Sequence, residues 1–378
     1  MSKKIMIVGL GDLGAVLVEL LLRLPEDLEI VVAARNVEKA TMRCNLARLG
    51  ALAQECASTV RLIQLDLNHL EATAEAIHRE QPAILLSTAT LSTWWLPDLL
   101  PPQDAQAIRR AGFGVWLPVH LAPTLQLMRA VRQAQYSGFV LTAPYPDVVN
   151  NVLGKVGLAP TCGIGNIAEM VPKVRLRAAQ ELGVPVAQVR AVFVAHHALG
   201  KYVYSNTDPN PEEPVPPFLL RIESDGHDVT DRLDSRQLVL SPEPIPEGRV
   251  MHLLTAGSTI PLMRALLQSA PVFLHTPAPN GLPGGYPVHA SQSGVKLALG
   301  SIPIAEAITV NEQSQVYDGI SQVLEDGTVV LAEDRAQQLQ NVLGMCPRRI
   351  AISDVEAQAK DLVSRFQTYA TRRGVKLL

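Results

Sequence analysis

The 378-residue sequence predicts an α/β protein, in which a doubly wound parallel sheet precedes an α+β C-terminal domain with an antiparallel ribbon. Three observations lead to this fold class. A short apolar strand ends in a glycine-rich turn. Further strands alternate with helical stretches, which is typical of a parallel sheet covered on both faces. The second half is dense in proline, which disfavours interior helix.

The first half supplies the parallel strands. Apolar runs predict strands at 4–8, 28–34, 61–66, 82–88, 138–144 and 161–165. Helical patterns lie between them at 15–24, 37–56 and 70–80, and another helix ends near residue 135. A long connection over 89–115 precedes that last helix.

The second half of the sequence does not continue the regular alternation of strands and helices. We expect a helix over 167–182, a strand over 189–197, and loops between antiparallel strands in the proline-rich stretch 209–246. Residues 295–331 alternate apolar and polar around Asp326-Gly327, which predicts an antiparallel ribbon. Amphipathic helices are predicted at 333–343 and 353–372. The expected domains are 1–145, which binds a dinucleotide, and 146–378, which serves the substrate and oligomerisation.

Composition excludes several classes of function. Apolar residues make up 47% and charged residues 18%, with a net charge of −3, as in an ordinary globular protein. No basic run marks a surface for nucleic acid or anionic membrane, and no apolar stretch reaches the roughly 18 residues of a membrane span. The N-terminus does not read as a signal peptide. Four scattered cysteines without a CxxC pair predict neither a disulfide framework nor a zinc site, so we expect a cytoplasmic protein.

The glycine-rich turn has the pattern of a dinucleotide site. Gly9, Gly11 and Gly14 form GxGxxG directly between a strand and a helix, with Asp12 and Leu13 inside the motif. The first glycine permits the turn, the second lets a pyrophosphate approach, and the third lets the helix pack on the strand. We therefore expect a Rossmann fold with the phosphates on the helix N-terminus. A tight turn without a ligand is the plainer alternative.

The end of the second strand favours NADP over NAD. NAD sites usually place a carboxylate there for the ribose 2′-hydroxyl. This chain has Ala34, Arg35 and Asn36 instead, so an arginine is available for a 2′-phosphate. The alternative is that Arg35 is a solvated surface residue. Thr88 and Ala89, which follow the fourth strand, are also expected to line the cofactor site.

Two histidines at the end of a strand are candidates for acid–base chemistry. His196 and His197 follow the apolar run at 192–194, and imidazole titrates near neutral pH. Successive strand side chains point to opposite faces, so only one of the two can face the cofactor. A hydrogen-bonded core histidine is the alternative.

The stretch from Gly138 to Gly200 resembles the lactate/malate dehydrogenase superfamily. FVLTAPYPDVV, GIGN and LGVPVAQVRAVFVAHHALG correspond to its strand-to-helix, glycine and histidine segments. The resemblance implies that His197 is the catalytic histidine, and that His196 replaces the family's glutamate. The N-terminal half, with VRLIQLDLNHLEATAEAI before a strand ending in Ser87-Thr88-Ala89, resembles saccharopine-dehydrogenase-like NADP domains.

The chain departs from the superfamily at the substrate site. The resemblance places Lys173 where the family has the arginine that clamps a carboxylate, and Met170 beside Glu169 where it has an aspartate. Lysine cannot replace the planar guanidinium. Ala143 stands where the family has an asparagine. Asn166 ends the GIGN segment, and the resemblance implies that it contacts the substrate.

The superfamily's mobile substrate loop corresponds to residues 90–113, which hold Trp94, Trp95, Arg109 and Arg110. Two tryptophans indicate a larger or more apolar substrate than pyruvate, unless both are packing residues. Either arginine could take over the carboxylate contact.

Three functions remain open at this point. The leading one is an NADP-dependent oxidoreductase that reduces a C=O or C=N group of a small molecule, with His197 as the proton donor. The second is a metal- and NAD-dependent glycosidase-like enzyme, for which Cys162 and a histidine would hold the metal. The third is a non-catalytic NADP sensor. The superfamily also implies a homodimer or homotetramer.

Overall fold

A computed structural model describes residues 3–206, 214–246 and 248–377. Its six parallel strands are β1 (Lys3–Val8), β2 (Leu28–Ala34), β3 (Thr59–Gln64), β4 (Ile84–Ser87), β5 (Phe139–Thr142) and β6 (Cys162–Gly163). They lie in the order β3-β2-β1-β4-β5-β6. This is the doubly wound Rossmann order, in which the strand sequence reverses between β1 and β4 and leaves a crevice at their carboxyl ends.

Helices connect these strands and cover the sheet. They are α1 (Asp12–Leu21), α2 (Val37–Leu52), α3 (Leu70–Glu80), α4 (Pro102–Arg109), α5 (Leu117–Gln133) and α6 (Pro146–Lys155). The inner strands β1 and β2 are buried almost throughout, because both of their faces are covered. The predicted fold class is confirmed in this half.

The rest of the chain is mixed. Its helices are α7 (Ile167–Leu182), α8 (Gly200–Val203), α9 (Ser235–Leu240), α10 (His252–Leu266), α11 (Ile304–Ser314), α12 (Glu333–Leu343) and α13 (Val355–Thr371). Its strands are β7 (Val189–Val194), β8 (Leu219–Ser224), β9 (His227–Asp228), β10 (Val272–Pro277), β11 (Gly285–Ser291), β12 (Gly294–Leu297), β13 (Ile320–Val323), β14 (Val329–Leu331) and β15 (Arg349–Ile350). They form three small antiparallel sheets, β7-β8-β9, β10-β11-β12 and β13-β14-β15.

The expected ribbon over 295–331 is interrupted. The turn at Asp326-Gly327 does join β13 and β14, but α11 separates them from β12. Ala307, Asn311 and Ser314 are the buried positions of α11, and their spacing of three to four residues is that of a helix. Pro209 and Pro211, in the predicted loop region, lie outside the described residues.

Two hydrophobic clusters contain residues of both expected domains. The parallel sheet extends beyond residue 145, because β6 pairs with β5 at Cys162 and Gly163. The C-terminal hairpin and helices pack on the first half, where the rings of Trp116 and Phe366 meet edge to face at 5.1 Å. Within the described ranges, no helix is long and apolar enough to cross a membrane.

Candidate active site

One large cleft, with a cavity of about 1050 Å³, runs along the carboxyl ends of β1, β2 and β4 to the loop after β7. Its lining includes the glycine loop at one end and His197 at the other. The structure therefore brings together two groups of predicted site residues that are almost 190 positions apart in the chain (197 against 9).

The glycine loop leaves open space at its second glycine. Gly9 has φ of +94°, and its carbonyl accepts a hydrogen bond of 2.9 Å from the Thr88 hydroxyl. A Cβ at Gly14 would lie 2.5 Å from that carbonyl oxygen, whereas a Cβ at Gly11 would meet nothing within 4 Å. The first and third glycines are thus required by the turn and its packing. The second one faces open space.

The N-terminus of α1 is free to bind an anion. Gly11 is its N-cap residue, and no side chain caps the helix. Uncapped amides and the helix dipole together favour a phosphate. The carboxylate of Asp12 in the first turn forms an ion pair of 3.1 Å with Arg43, which offsets its charge. The loop thus fits the pyrophosphate of a dinucleotide.

Two cations line the cleft beyond the end of β2. They are Arg35 and Lys39, and Arg35 is exposed. The side chain of Asn36 is occupied as the N-cap of α2, where it accepts a hydrogen bond of 2.9 Å from the Lys39 amide. The Asn36 side chain therefore fixes the start of α2, and the side chains of Arg35 and Lys39 can contact a ligand in the cleft.

The connection after β4 contributes one tryptophan to the cleft. Trp94 is 42% exposed, lines the cavity and meets the His252 ring edge to face at 6.3 Å. Trp95 is not among the lining residues, and its indole nitrogen is buried. Arg109 lines the cavity but forms an ion pair with Asp98. Arg110 stays outside the cavity lining.

His197 is held by a buried carboxylate at the other end. Its Nδ1 lies 2.9 Å from Oδ2 of Asp318, which also accepts a hydrogen bond of 2.8 Å from the Tyr145 hydroxyl. Burial alone lowers the pKa of His197, but the charge and hydrogen bond of Asp318 outweigh it, so the pKa is raised above its ordinary value. Burial likewise opposes ionisation of Asp318, yet the imidazole holds the pKa of that carboxyl below its ordinary value. The pair favours an imidazolium beside a carboxylate.

The backbone around His197 is fixed by a second aspartate. The His197 amide donates to Oδ2 of Asp147, whose Oδ1 accepts a hydrogen bond of 3.1 Å from the Asn166 side chain. Asn166 has φ of +50° and ψ of −111°, a sparsely populated backbone conformation. Asn166 lines the cleft and is thereby linked to the histidine through Asp147.

Lys173 and His196 do not reach the cleft. The Lys173 ammonium is buried and donates to the carbonyls of Val203 at 2.6 Å and Val239 at 2.9 Å. It holds those loops together, so the expectation that it takes the place of a carboxylate clamp is wrong. His196 is only 1% exposed, and its Nδ1 accepts from the Ala198 amide. Its Nδ1 also lies 3.7 Å from Oδ2 of Asp318. The predicted strand over 189–197 ends at Val194, and His197 begins a 3₁₀ turn, so strand alternation does not separate the two histidines.

Two further titratable groups lie in the cleft. Glu169, in the first turn of α7, has its pKa raised to about 7 by burial. His120 of α5 is 4% exposed and has its pKa lowered to about 3, also chiefly by burial. The resemblance indicates Glu169, beside Met170, as a helper of the histidine, but no sequence pattern indicates His120, Asp147 or Asp318.

A metal centre is not assembled by the residues that the structure describes. Among them, no three His, Cys, Asp or Glu side chains lie together in a way that could hold an ion. Cys162 lies in β6, fully buried, and burial raises the pKa of its thiol to about 12. Cys162 is not among the residues that line the cleft, so the structure does not bring its thiol together with His197.

Solved structures with this architecture are known. The chain matches no protein-family model and no curated protein. It is similar to lactate dehydrogenase from Eimeria maxima, solved with NADH and oxamate, at 13% identity and a TM-score of 0.56 over 83% of this chain and 91% of that one. It is also similar to malate dehydrogenase from Cryptosporidium parvum, at 14% identity and a TM-score of 0.55 over 84% and 98%. The fold is that of the lactate and malate dehydrogenases. At such low identity the likeness shows the fold alone.

Proposed function

We propose that the protein is an NADP-dependent oxidoreductase that reduces a C=O or C=N group of a small molecule, with His197 as the proton donor. One observation carries the proposal. A histidine paired with a buried aspartate lies in the same cleft as an uncapped helix N-terminus behind a GxGxxG turn. The likeness to NADH-bound dehydrogenases agrees with a nicotinamide cofactor. The expected setting is the cytoplasm.

Different residues of the cleft bind the cofactor and supply the proton. A reduced nicotinamide ring, when bound, supplies the hydride for such a reduction. The α1 amides hold the pyrophosphate, and Arg35 with Lys39 pairs with a 2′-phosphate. Since the Asp318 carboxylate accepts from Nδ1 of His197, the transferable proton is on Nε2. The raised pKa of His197 keeps that proton in place near neutral pH.

NADP is preferred because no acid of the NAD type follows β2. The resemblance of the first half to saccharopine-dehydrogenase-like NADP domains agrees with this. We expect NADPH to bind at least about tenfold more tightly than NADH, measured by titration of the cofactor's fluorescence. Arg35→Ala should remove most of this preference. Arg48→Ala is the matched control, because Arg48 lies on α2 outside the cleft. Equal affinities in the native protein would refute the assignment.

Turnover tests the role of His197. A panel of aldehydes, ketones and imines, followed by NADPH absorbance, should yield a substrate whose reduction falls about 10²–10⁴-fold in His197→Ala. NADPH affinity should stay within about twofold, because the proposed role of His197 is toward the reacting group and not the nucleotide phosphates. His196→Ala should change stability more than turnover. NADPH binding with no effect of His197 on any reduction would favour the sensor instead.

A further inference from the structure

The reacting end of the cleft has an unusual set of side chains. We use that name for His197, Asp318, Glu169, His120, Phe113 and Tyr145, all of which line the cavity. The comparison dehydrogenases are named for lactate and malate, which are carboxylates, so the charge at this end decides whether a similar substrate fits here.

The groups that raise the pKa of His197 are all carboxyls. They are Asp318, Asp147 and Glu169. The buried Lys173 is held by two backbone carbonyls away from the cavity, and Lys201 and Lys360, which line the cavity, are exposed. The reacting end itself holds two carboxyls, Asp318 and Glu169. An imidazolium at His197 balances Asp318, so ionised Glu169 leaves this end negative. A substrate carboxylate would add one more negative charge to a partly desolvated site.

His120 presents a hydrogen-bond acceptor. Its Nδ1 lies 2.9 Å from the Thr90 hydroxyl, which itself donates to the Ser92 carbonyl at 2.8 Å. A hydroxyl has one proton, so we assign the Nδ1 proton to His120, which leaves Nε2 bare. His120 lines the cavity and its side chain is 4% exposed, so Nε2 can accept a hydrogen bond from a donor on a ligand.

Aromatic rings form the rest of the reacting end. The Phe113 ring is stacked on His120 with centroids 5.6 Å apart, and lies 4.8 Å from the ring of His197. Tyr145 meets Phe113 edge to face at 4.6 Å. Aromatic faces attract cations and repel anions, most strongly where water is excluded.

We propose that the reacting end binds a nitrogen cation, so that the substrate is an iminium or amine rather than an oxo acid. Carboxyls supply the counter-charge, His120 accepts an N–H bond, and Phe113 covers the nitrogen. In the reducing direction, the carbon of R₂C=NHR⁺ takes a hydride from the reduced nicotinamide dinucleotide, and the C=N π pair becomes the lone pair on nitrogen. The neutral amine then takes a proton from Nε2 of His197. This inference rests on the proposed function.

Calorimetry with a matched set of probes tests it without turnover. Benzylammonium, benzamide and benzoate share one ring and differ in charge. Each is titrated into the full-length protein with and without NADP⁺. We expect benzylammonium to bind at least about tenfold more tightly than benzoate. Equal or tighter binding of benzoate would overturn the inference.

Variants assign the effect to the reacting end. Glu169→Gln and His120→Leu should each weaken benzylammonium binding by about threefold or more, and Glu325→Gln, at an exposed residue outside the cleft, should not. Two variants are used because one could fail to fold, which circular dichroism reveals. Unchanged binding in both would overturn the inference. If NADPH binds but the cation is not preferred, this inference fails alone. If NADPH does not bind, the proposed function fails with it.

Discussion

Asp318→Asn should disable the histidine without disturbing the nucleotide site. The carboxylate lies 2.9 Å from Nδ1 of His197 and is 8% exposed. Opposite charges about 4 Å apart attract by about 4 kcal/mol at an effective dielectric constant of about 20, or about three pKa units. The burial of His197 opposes this, so we expect the neutral amide to lower the pKa of His197 by about one to two units.

Two assays measure this change. The ring resonances of His197, followed by NMR from pH 4 to 9, report its pKa directly. Turnover at pH 7 should fall about 10²–10³-fold, because less imidazolium is present and its orientation is less fixed. NADPH affinity should not change. Asp361→Asn, in a surface ion pair with Arg365, is the control. An unchanged pKa of His197 in Asp318→Asn would refute the reasoning.

Three further outcomes are expected. Gly14→Val should weaken NADPH binding at least about tenfold and lower the melting temperature, because its Cβ would lie 2.5 Å from the Gly9 carbonyl; normal binding would contradict this. Glu80→Gln should cost about 1–2 kcal/mol at pH 7 in denaturant unfolding, because hydrogen bonding to Arg61 lowers the pKa of Glu80 to about 2. That stability is fully present above about pH 4.5 and is lost as pH falls toward 2, so a cost that persists at pH 2 would contradict the assignment. Light scattering should show a dimer that Leu46→Glu dissociates, because Leu46 is 70% exposed on α2; a native monomer would contradict it.

The nucleotide half could be predicted from the sequence because its signals are local. The buried strands are continuous apolar runs in the sequence. The GxGxxG turn is recognisable because its first and third positions have no room for a side chain. The small antiparallel sheets were less predictable. Helix α10 was missed because Gly257 and Pro261 stand inside it, and α11 because its apolar and polar residues also alternate.

The reacting end could be predicted only in part. His197 was indicated by its place at the end of a strand. Its partner Asp318 lies 121 positions further along the chain, where a short helical turn ends before Gly319 at φ of +87°. No local pattern links the two residues, since packing alone brings them together. Lys173 was expected in the cleft because spacing does not reveal which way a buried ammonium turns.

A crystal structure with NADP⁺ tests the central claim most directly. The account predicts the pyrophosphate on the amides of Asp12 and Leu13, the 2′-phosphate beside Arg35, and the nicotinamide ring next to His197. Its C4 should leave room for a small substrate within about 4 Å of both C4 and Nε2 of His197. A nucleotide bound elsewhere, or a nicotinamide ring turned away from His197 with no such space, would contradict the account.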